Sequence, residues 1–514
     1  MIIITSGAYL QGELKSEFGN LPPVYLPLGN KPLLHYQIKA LRNIFHNENI
    51  ILTLPESFQL TSFENELNNK LNINIIPVPD ELTLSSSILY AININGSYDE
   101  PVRILHGDTL IFDLPTTLDC LSIADSEDNY DWYRPDNNLE VWSGFFAFQN
   151  TKTLVKMLSK HSLFSLAVSS YNKQFSLKEI KTKDWLDFGH LNTYFAARKT
   201  VTTQRAFNSL RISEGIVTKS GTPAAKIQAE GKWFNNLPLD LKPMTPALYK
   251  INDTPSPSYS LEYLPLSPLN ELYVYGRHNE KFWYKICRYY NDWFNKATKL
   301  SPPDIDLNPI RTRLIKDKTY ERLAIYSEQN QFNLDHPLII NGVNLPSLKE
   351  IAEDCIQKSL YQKPITGVFH GDPCFSNALY DGRNGRLRLL DPRGINDSQG
   401  LIGDIRYDLA KIMHSFIGLY DFIIAKKYNL NSISDYEWNF RIEKSKQIDI
   451  IIDNFLNFSF DAFPKDAINQ TIPDMILLFI SMLPLHSDDS SRQKALLCNA
   501  LRLYVKFFHQ DEAI

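Results

Sequence analysis

Cysteine is scarce in this chain: five in 514 residues, at positions 120, 287, 355, 374 and 498, with no paired spacing. An odd, scattered set excludes a disulfide framework and fits reduced thiols in a cytoplasm. Long apolar runs are missing too. The longest, Met475 to Leu485, is broken by Ser481 and Pro484. It is too short to cross a bilayer, so no membrane insertion is expected. The opening Met-Ile-Ile-Ile-Thr-Ser-Gly has no basic region and no long apolar stretch, and does not read as a signal peptide. Neither charge sign dominates: the net charge is −5, which argues against a general nucleic-acid surface. No repeat, low-complexity tract or Gly/Ser linker is visible. The length exceeds what one hydrophobic core supports, so two or three domains are expected.

The strongest chemical signal lies late in the chain. Val368-Phe-His-Gly-Asp-Pro-Cys-Phe-Ser-Asn377 places Asp372 five residues before Asn377, and Asp391 follows fourteen later in Leu389-Leu-Asp-Pro-Arg-Gly394. Between them, two apolar runs flank Asp381-Gly-Arg-Asn-Gly385, a turn rich in residues that tolerate positive φ. The spacing predicts a hairpin that brings Asn377 and Asp391 to one end beside Asp372. Two oxygen-bearing side chains there can hold Mg²⁺ on a nucleoside triphosphate, and a third can take a proton from an attacking hydroxyl.

This pattern resembles the aminoglycoside phosphotransferase and choline kinase group, with Gly403-Asp-Ile-Arg-Tyr-Asp-Leu-Ala-Lys411 similar to the segment after that group's metal-binding Asp. The resemblance implies Asp372 as catalytic base, Asn377 and Asp391 as metal ligands, and ATP as phosphoryl donor. It implies that Asp408 bonds the loop backbone. A departure is Asp-Pro-Arg-Gly where protein kinases have Asp-Phe-Gly; Arg393 faces the phosphates or is a solvated turn residue.

Residues 1–203 alternate strands with helices and predict a parallel α/β sheet with its site at the strands' carboxyl ends. Strands are expected at Ile2-Ile-Ile4, Ile50-Ile-Leu-Thr-Leu54, Ile73-Asn-Ile-Ile-Pro77 and Val102-Arg-Ile-Leu-His-Gly-Asp108. Lys31-Pro-Leu33, Gly107-Asp108 and Trp185-Leu-Asp-Phe-Gly189 resemble motifs of the sugar-phosphate nucleotidyltransferases. That resemblance implies a Rossmann-like fold with Asp108 and Asp187 as Mg²⁺ ligands and a second nucleoside triphosphate, CTP, GTP or UTP. The match departs at two places. The opening loop, Ser6-Gly-Ala-Tyr-Leu-Gln-Gly12, lacks the family's Arg, and Pro23 stands where its catalytic Lys belongs. Lys31 and Arg103 are the candidates for the missing cation.

Residues 204–514 read as a bilobal, α+β, protein-kinase-like domain, with an amino-lobe to about 266 and a helical lobe from 267. Arg205 to Ser213 and Gly215 to Ser220 predict paired strands, and Ala225 to Phe234 a helix. Lys219 on the strand and Glu230 on the helix fit the phosphate-binding Lys and the Glu that holds it; Lys226 competes. Ser213-Glu-Gly215 is the only trace of a glycine loop. Tyr259-Ser-Leu-Glu-Tyr-Leu-Pro-Leu266 resembles the adenine-binding hinge, with Glu262, Tyr263 and Leu264 as cofactor contacts. Phe282, Ile286, Tyr289, Tyr290 and Trp293 predict a core helix stripe. Residues 301–365 show little chemistry. His414, Tyr420, Asp421, Tyr436 and Trp438 are candidates for the acceptor pocket, with core packing the plainer reading.

Together the two resemblances imply a bifunctional enzyme for a sugar, sugar phosphate or amino alcohol. The kinase phosphorylates it and the first domain joins it to a nucleotide, a combination that resembles bacterial capsule and surface-polysaccharide biosynthesis proteins. Two alternatives stand: a kinase with a degenerate amino-terminal docking domain, and a nucleotide-sensing pseudoenzyme. A homo-oligomer is left open.

Overall fold

The computed structural model describes residues 1–126, 133–134, 137–201, 208–252, 254, 256–300, 305–394 and 400–509. The chain divides into two units, Met1–Thr202 with Tyr275–His278, and Thr203–Val274 with Asn279–Ile514.

In the first unit, Ile2, Ile3 and Ile4 are fully buried in the opening strand, β1 (Ile2–Thr5), as expected of a strand covered on both faces. After helix α1 (Leu33–Ile44) come β2 (Ile50–Pro55) and β3 (Asn74–Val78), then helix α2 (Leu84–Asn95) and β4 (Val102–His106). These four strands are parallel in the order β4-β1-β2-β3. The next strands are β5 (Thr109–Ile111), β6 (Cys120–Asp125), β7 (Asn137–Phe148), β8 (Lys178–Lys181) and β9 (Trp185–Asp187), and helix α3 (Leu191–Val201) follows. The sheet runs β8-β6-β7-β4-β1-β2-β3, and it is not purely parallel as the alternation predicts. Strand β7 lies antiparallel to both β4 and β6. Too few residues separate β6 from β7 for the crossover a parallel pair needs. The register Thr5↔His106 sets the ends of β1 and β4 level, so Ser6-Gly7 and Gly107-Asp108 leave the sheet side by side.

The second unit opens on an antiparallel sheet of β10 (Asn208–Ser213), β11 (Ile216–Gly221), β12 (Leu248–Asn252) and β13 (Ser258–Glu262), in the order β10-β11-β13-β12. Residues 205–207 of the predicted first strand lie outside the described residues. Helix α4 (Ala224–Asn236) packs on the sheet, burying Ile227, Glu230, Trp233 and Phe234.

Beyond it, α5 (Glu280–Lys299) buries Trp283, Ile286, Cys287, Tyr290, Trp293, Phe294 and Ala297. The core stripe is therefore turned slightly from the predicted one, leaving Phe282 and Tyr289 only half-buried. A π-helical turn, Arg313–Asp317, precedes α6 (Lys318–Asn330). Helix α7 (Leu348–Tyr361) starts with a Ser347–Glu350 capping box. Then come β14 (Thr366–Val368), the hairpin β15 (Ala378–Asp381) and β16 (Arg386–Leu389), and β17 (Ile402–Asp404), which leads into α8 (Ile405–Phe416). Helix α8 packs against α9 (Ala467–Met482), which in turn packs against α10 (Ser490–Phe508).

The helical stretch around the Met475–Leu485 run is longer than the run itself. Ala467–His486 spans 20 residues, enough by length and hydropathy to cross a membrane, and 78% of that apolar window is buried inside the fold. A core helix of a large domain has the same composition.

Candidate functional site

The site of the second unit is built from β11, α4, α6, α8 and the loops around the β15–β16 hairpin, around a cavity of about 580 Å³. Lys219 points from β11 toward α4, where its Nζ lies 2.7 Å from Glu230 Oε2 and 3.1 Å from Asp391 Oδ1. Burial pushes the Lys219 ammonium down, but the Asp391 and Glu230 carboxylates together hold it above its ordinary value. Tyr259 on β13 donates its hydroxyl to the same Glu230 oxygen at 2.7 Å. The competing Lys226 is half-exposed and 3.8 Å from Glu230.

The loop after β14 is fixed from below. Asp408, one turn into α8, accepts the backbone N–H groups of His370 at 2.9 Å and Gly371 at 2.7 Å. Burial pushes its carboxyl up to about 8 against the pull of those two donors. Trp233 Nε1 donates to Phe369 O at 2.8 Å, and Tyr290 OH to Pro373 O at 3.0 Å. Asn377 Nδ2 donates to Asp372 O at 2.9 Å, which directs the amide oxygen elsewhere. The hairpin returns Leu390 to Asn377, N to O at 2.7 Å, so Asn377 and Asp391 share one wall with Asp372.

Lys411 is a residue that the sequence reading passed over. Its Nζ lies 3.0 Å from Asp372 Oδ1. Burial pushes the Asp372 carboxyl up, but the Lys411 ammonium beside it prevails and holds it down at about 2. Asp408 and Lys411 stand three apart on α8 and so face the same way, a spacing visible in the sequence.

Three further cations line the cavity: Lys318 and Arg322, one turn apart on α6, and Arg393. Lys318 Nζ meets Tyr407 OH at 3.1 Å and Arg393 Nη1 meets it at 3.3 Å. Burial pushes that phenol up, but Lys318, Lys411 and Arg393 bring it down to about 7. The segment 301–365 thus carries chemistry that its composition hides. Arg393 is placed by its N–H on His370 O at 2.8 Å and by Gly371, where a Cβ would come within 2.5 Å of Arg393 Cβ. At Gly394, φ is +91°, and a Cβ would lie 2.7 Å from the Ala229 backbone.

Several predicted residues lie elsewhere. Glu262, the last residue of β13, and Tyr263 and Leu264 after it do not line this cavity; the N–H of Glu262 bonds Ala247 O and that of Tyr263 bonds Gly215 O. Ser213-Glu-Gly215 is the β10–β11 turn. Pairing puts Lys219 opposite Leu210, so that turn sits at the far end of β11 from Lys219 and cannot cover phosphates there. His414 stacks on Tyr420 at 4.5 Å and tilts against Phe479, and both it and Asp421 are buried. Tyr436 stacks on His336 at 3.9 Å, and Trp438 is 2% exposed. None of these five reaches the cavity; they are taken up by packing.

In the first unit, β5 pairs with β9, Thr109 opposite Asp187, which draws Asp108 and Asp187 together. A Cβ on Gly189 would lie 2.9 Å from Asp108 Oδ2 and 3.2 Å from Asp187 Oδ1. Burial, then the Asp187 charge, pushes the Asp108 carboxyl up to about 6. Two crowded carboxylates of this kind repel each other, and a cation between them would relieve that repulsion. The two candidate cations for catalysis differ in their surroundings. Arg103 is paired with Glu48 and lies over the Phe45 ring, and Lys31 Nζ is 2.8 Å from His35 Nε2 on the surface.

No protein-family description and no curated protein sequence matches the chain. Solved structures resemble its amino-terminal ~40%. The nucleoside-diphosphate-sugar pyrophosphorylase from Vibrio cholerae RC9 is 12% identical, with 39% of this chain and 100% of that one covered and a TM-score of 0.32. The CTP:phosphocholine cytidylyltransferase from Streptococcus pneumoniae is 14% identical, covering 39% and 98%, with a TM-score of 0.32. The inositol-1-phosphate CTP transferase from T. maritima is 14% identical, covering 40% and 97%, with a TM-score of 0.30.

Proposed function

We propose that the second unit transfers the γ-phosphoryl group of ATP to a hydroxyl of a small molecule. The observation that carries this is Lys219 bridging Glu230 and Asp391 on the cavity that also holds Asp372 and Asn377. An amide oxygen and a carboxylate on one wall suit a hard cation that completes its shell with phosphate oxygens. Among the described residues no cluster of three or more His, Cys, Asp and Glu side chains forms a metal cage, and a two-ligand site of this type needs none. Bound Mg²⁺ would neutralise charge on the triphosphate.

The chain's own residues do the rest. Lys219, held by Glu230, faces the phosphates. Asp372, kept ionised by Lys411, accepts the hydroxyl proton as the acceptor oxygen bonds to the γ-phosphorus and the bond to ADP breaks. Asp408 keeps the loop in place. The first unit, on this reading, holds a nucleoside triphosphate through Asp108 and Asp187; a phosphate oxygen of the phosphorylated product bonds to its α-phosphorus as the bond to pyrophosphate breaks, supplying a precursor for surface polysaccharide. The engagement of Arg103 by Glu48 favours a second reading for that unit alone, in which it binds the nucleotide and transfers slowly or not at all.

The experiment is ADP and pyrophosphate release by the full chain. Asp372→Asn should lower phosphoryl transfer by about 10²–10⁴-fold with ATP affinity kept. Asp108→Ala should abolish nucleotide binding to the first unit and leave phosphoryl transfer intact. Wild-type turnover in Asp372→Asn removes Asp372 from the mechanism.

A further inference from the structure

We infer that the acceptor phosphorylated at Asp372 carries an anionic group of its own, a phosphate or a carboxylate, which Lys318, Arg322 and Arg393 hold. The inference rests on the kinase reading and narrows its substrate class.

The argument is one of charge matching. Of the cavity's cations, Lys219 is matched by Glu230 and Asp391, and Lys411 by Asp372. Lys318, Arg322 and Arg393 have no carboxylate within ion-pair distance among the described residues. Their polar contacts are the Tyr407 hydroxyl for Lys318 and Arg393, and Ser481 O at 2.7 Å for Arg322. Three half-buried like charges around one phenol repel one another, and a Tyr407 phenolate offsets only one of them, so the cluster is relieved when a further anion joins it. Ammonium and guanidinium groups converging from two elements are what phosphate and carboxylate recognition uses.

The cluster's position assigns it to the acceptor. The Tyr407 phenol senses Lys318, Lys411 and Arg393, and Lys411 is the partner of Asp372. The charge partners of Lys219, on the nucleotide side, are Asp391 and Glu230 instead. A π-helical turn directly before Lys318 re-phases α6, a device found often at functional sites. An amino alcohol or amino sugar would bring a fourth positive charge to the wall, so this face selects against the amino alcohols and for sugar phosphates or sugar acids. The chemistry stays balanced. The acceptor hydroxyl gains the phosphoryl group, its proton passes to Asp372, ADP leaves with the bonding pair, and the second anionic group is untouched.

The test gives the full chain ATP, Mg²⁺ and a matched panel: glucose, glucosamine, ethanolamine, hexose phosphates and hexuronates. Turnover should be confined to the last two classes, whose separate rates tell phosphate from carboxylate. Lys318→Ala and Arg322→Ala should each raise the acceptor KM about tenfold or more, the loss of one charge-assisted hydrogen bond, with the KM for ATP unmoved. Lys318→Arg and Arg322→Lys should recover part of it, which a folding defect would not. Efficient turnover of glucose or glucosamine overturns the inference and leaves the kinase reading standing. A rise in the KM for ATP instead makes the wall a nucleotide-phosphate site and also overturns it. If nothing in the panel is phosphorylated, the kinase reading falls. Calorimetric titration of inorganic phosphate then decides the anion site alone: binding lost in the two alanine variants keeps it, and no binding to wild type removes it.

Discussion

At the scale of single residues, the pairing of Lys411 with Asp372 governs how the proposed phosphoryl transfer should depend on pH. The Asp372 carboxyl stands at about 2, below its ordinary 3.8, so the charged form is favoured in the fold. The stability this contributes is complete above the ordinary value and is lost as pH falls through about 2. Lys411→Met removes the cation and leaves burial, which pushes a carboxyl up. The acid limb of kcat/KM should therefore move to higher pH in Lys411→Met, whereas the wild type should show no limb from Asp372 above about pH 4. Superimposable profiles would separate Lys411 from the base. Asp408 acts on the same loop through its backbone. Asp408→Ala leaves two buried N–H groups without acceptors and should cost about 2–5 kcal/mol, read as a lower denaturant midpoint.

Among elements, the contact of Gly394 with α4 ties the Asp391 loop to the helix that carries Glu230. Gly394→Ala would place a methyl group against Ala229 and force a left-handed residue to carry a Cβ. The expected result is a loss of about 1–3 kcal/mol and a raised KM for ATP, because α4 must retreat from Lys219. A change in stability with no change in that KM would show the helix is positioned independently. The β15–β16 hairpin was legible because its turn residues and flanking apolar runs are local signals. So were Lys219 and Glu230, a strand residue and a helix residue in a fixed order. Lys318 and Arg322 were not, since two cations one turn apart look like any solvated helix face until Tyr407 and Arg393 arrive from distant sequence. For His414, Tyr420 and Trp438 the plainer reading, packing, is the one the fold shows, as it is for most lone aromatics. The parallel sheet was legible in its four leading strands and not in β7, whose direction depends on a connection too short for a crossover.

On the scale of the whole molecule, the first unit is not one stretch of chain. Tyr275–His278 belongs to it although the residues on either side belong to the second. Arg277 pairs there with Glu64, a residue 4% exposed, and its backbone N–H bonds Phe18 O at 2.9 Å. Arg277→Ala should destabilise the first unit by about 3 kcal/mol by stranding a buried carboxylate, and Glu64→Gln should recover part of the loss in the double variant. Thermal denaturation of the three variants checks this. The same segment bears on the order of events at the ribosome. Domains generally fold as units, the amino-terminal one first during synthesis. Here the first unit must wait, unfinished, while the entire β10–β13 sheet is synthesised. A nascent chain halted after residue 202 should stay open to protease, and one extended past residue 278 should become resistant.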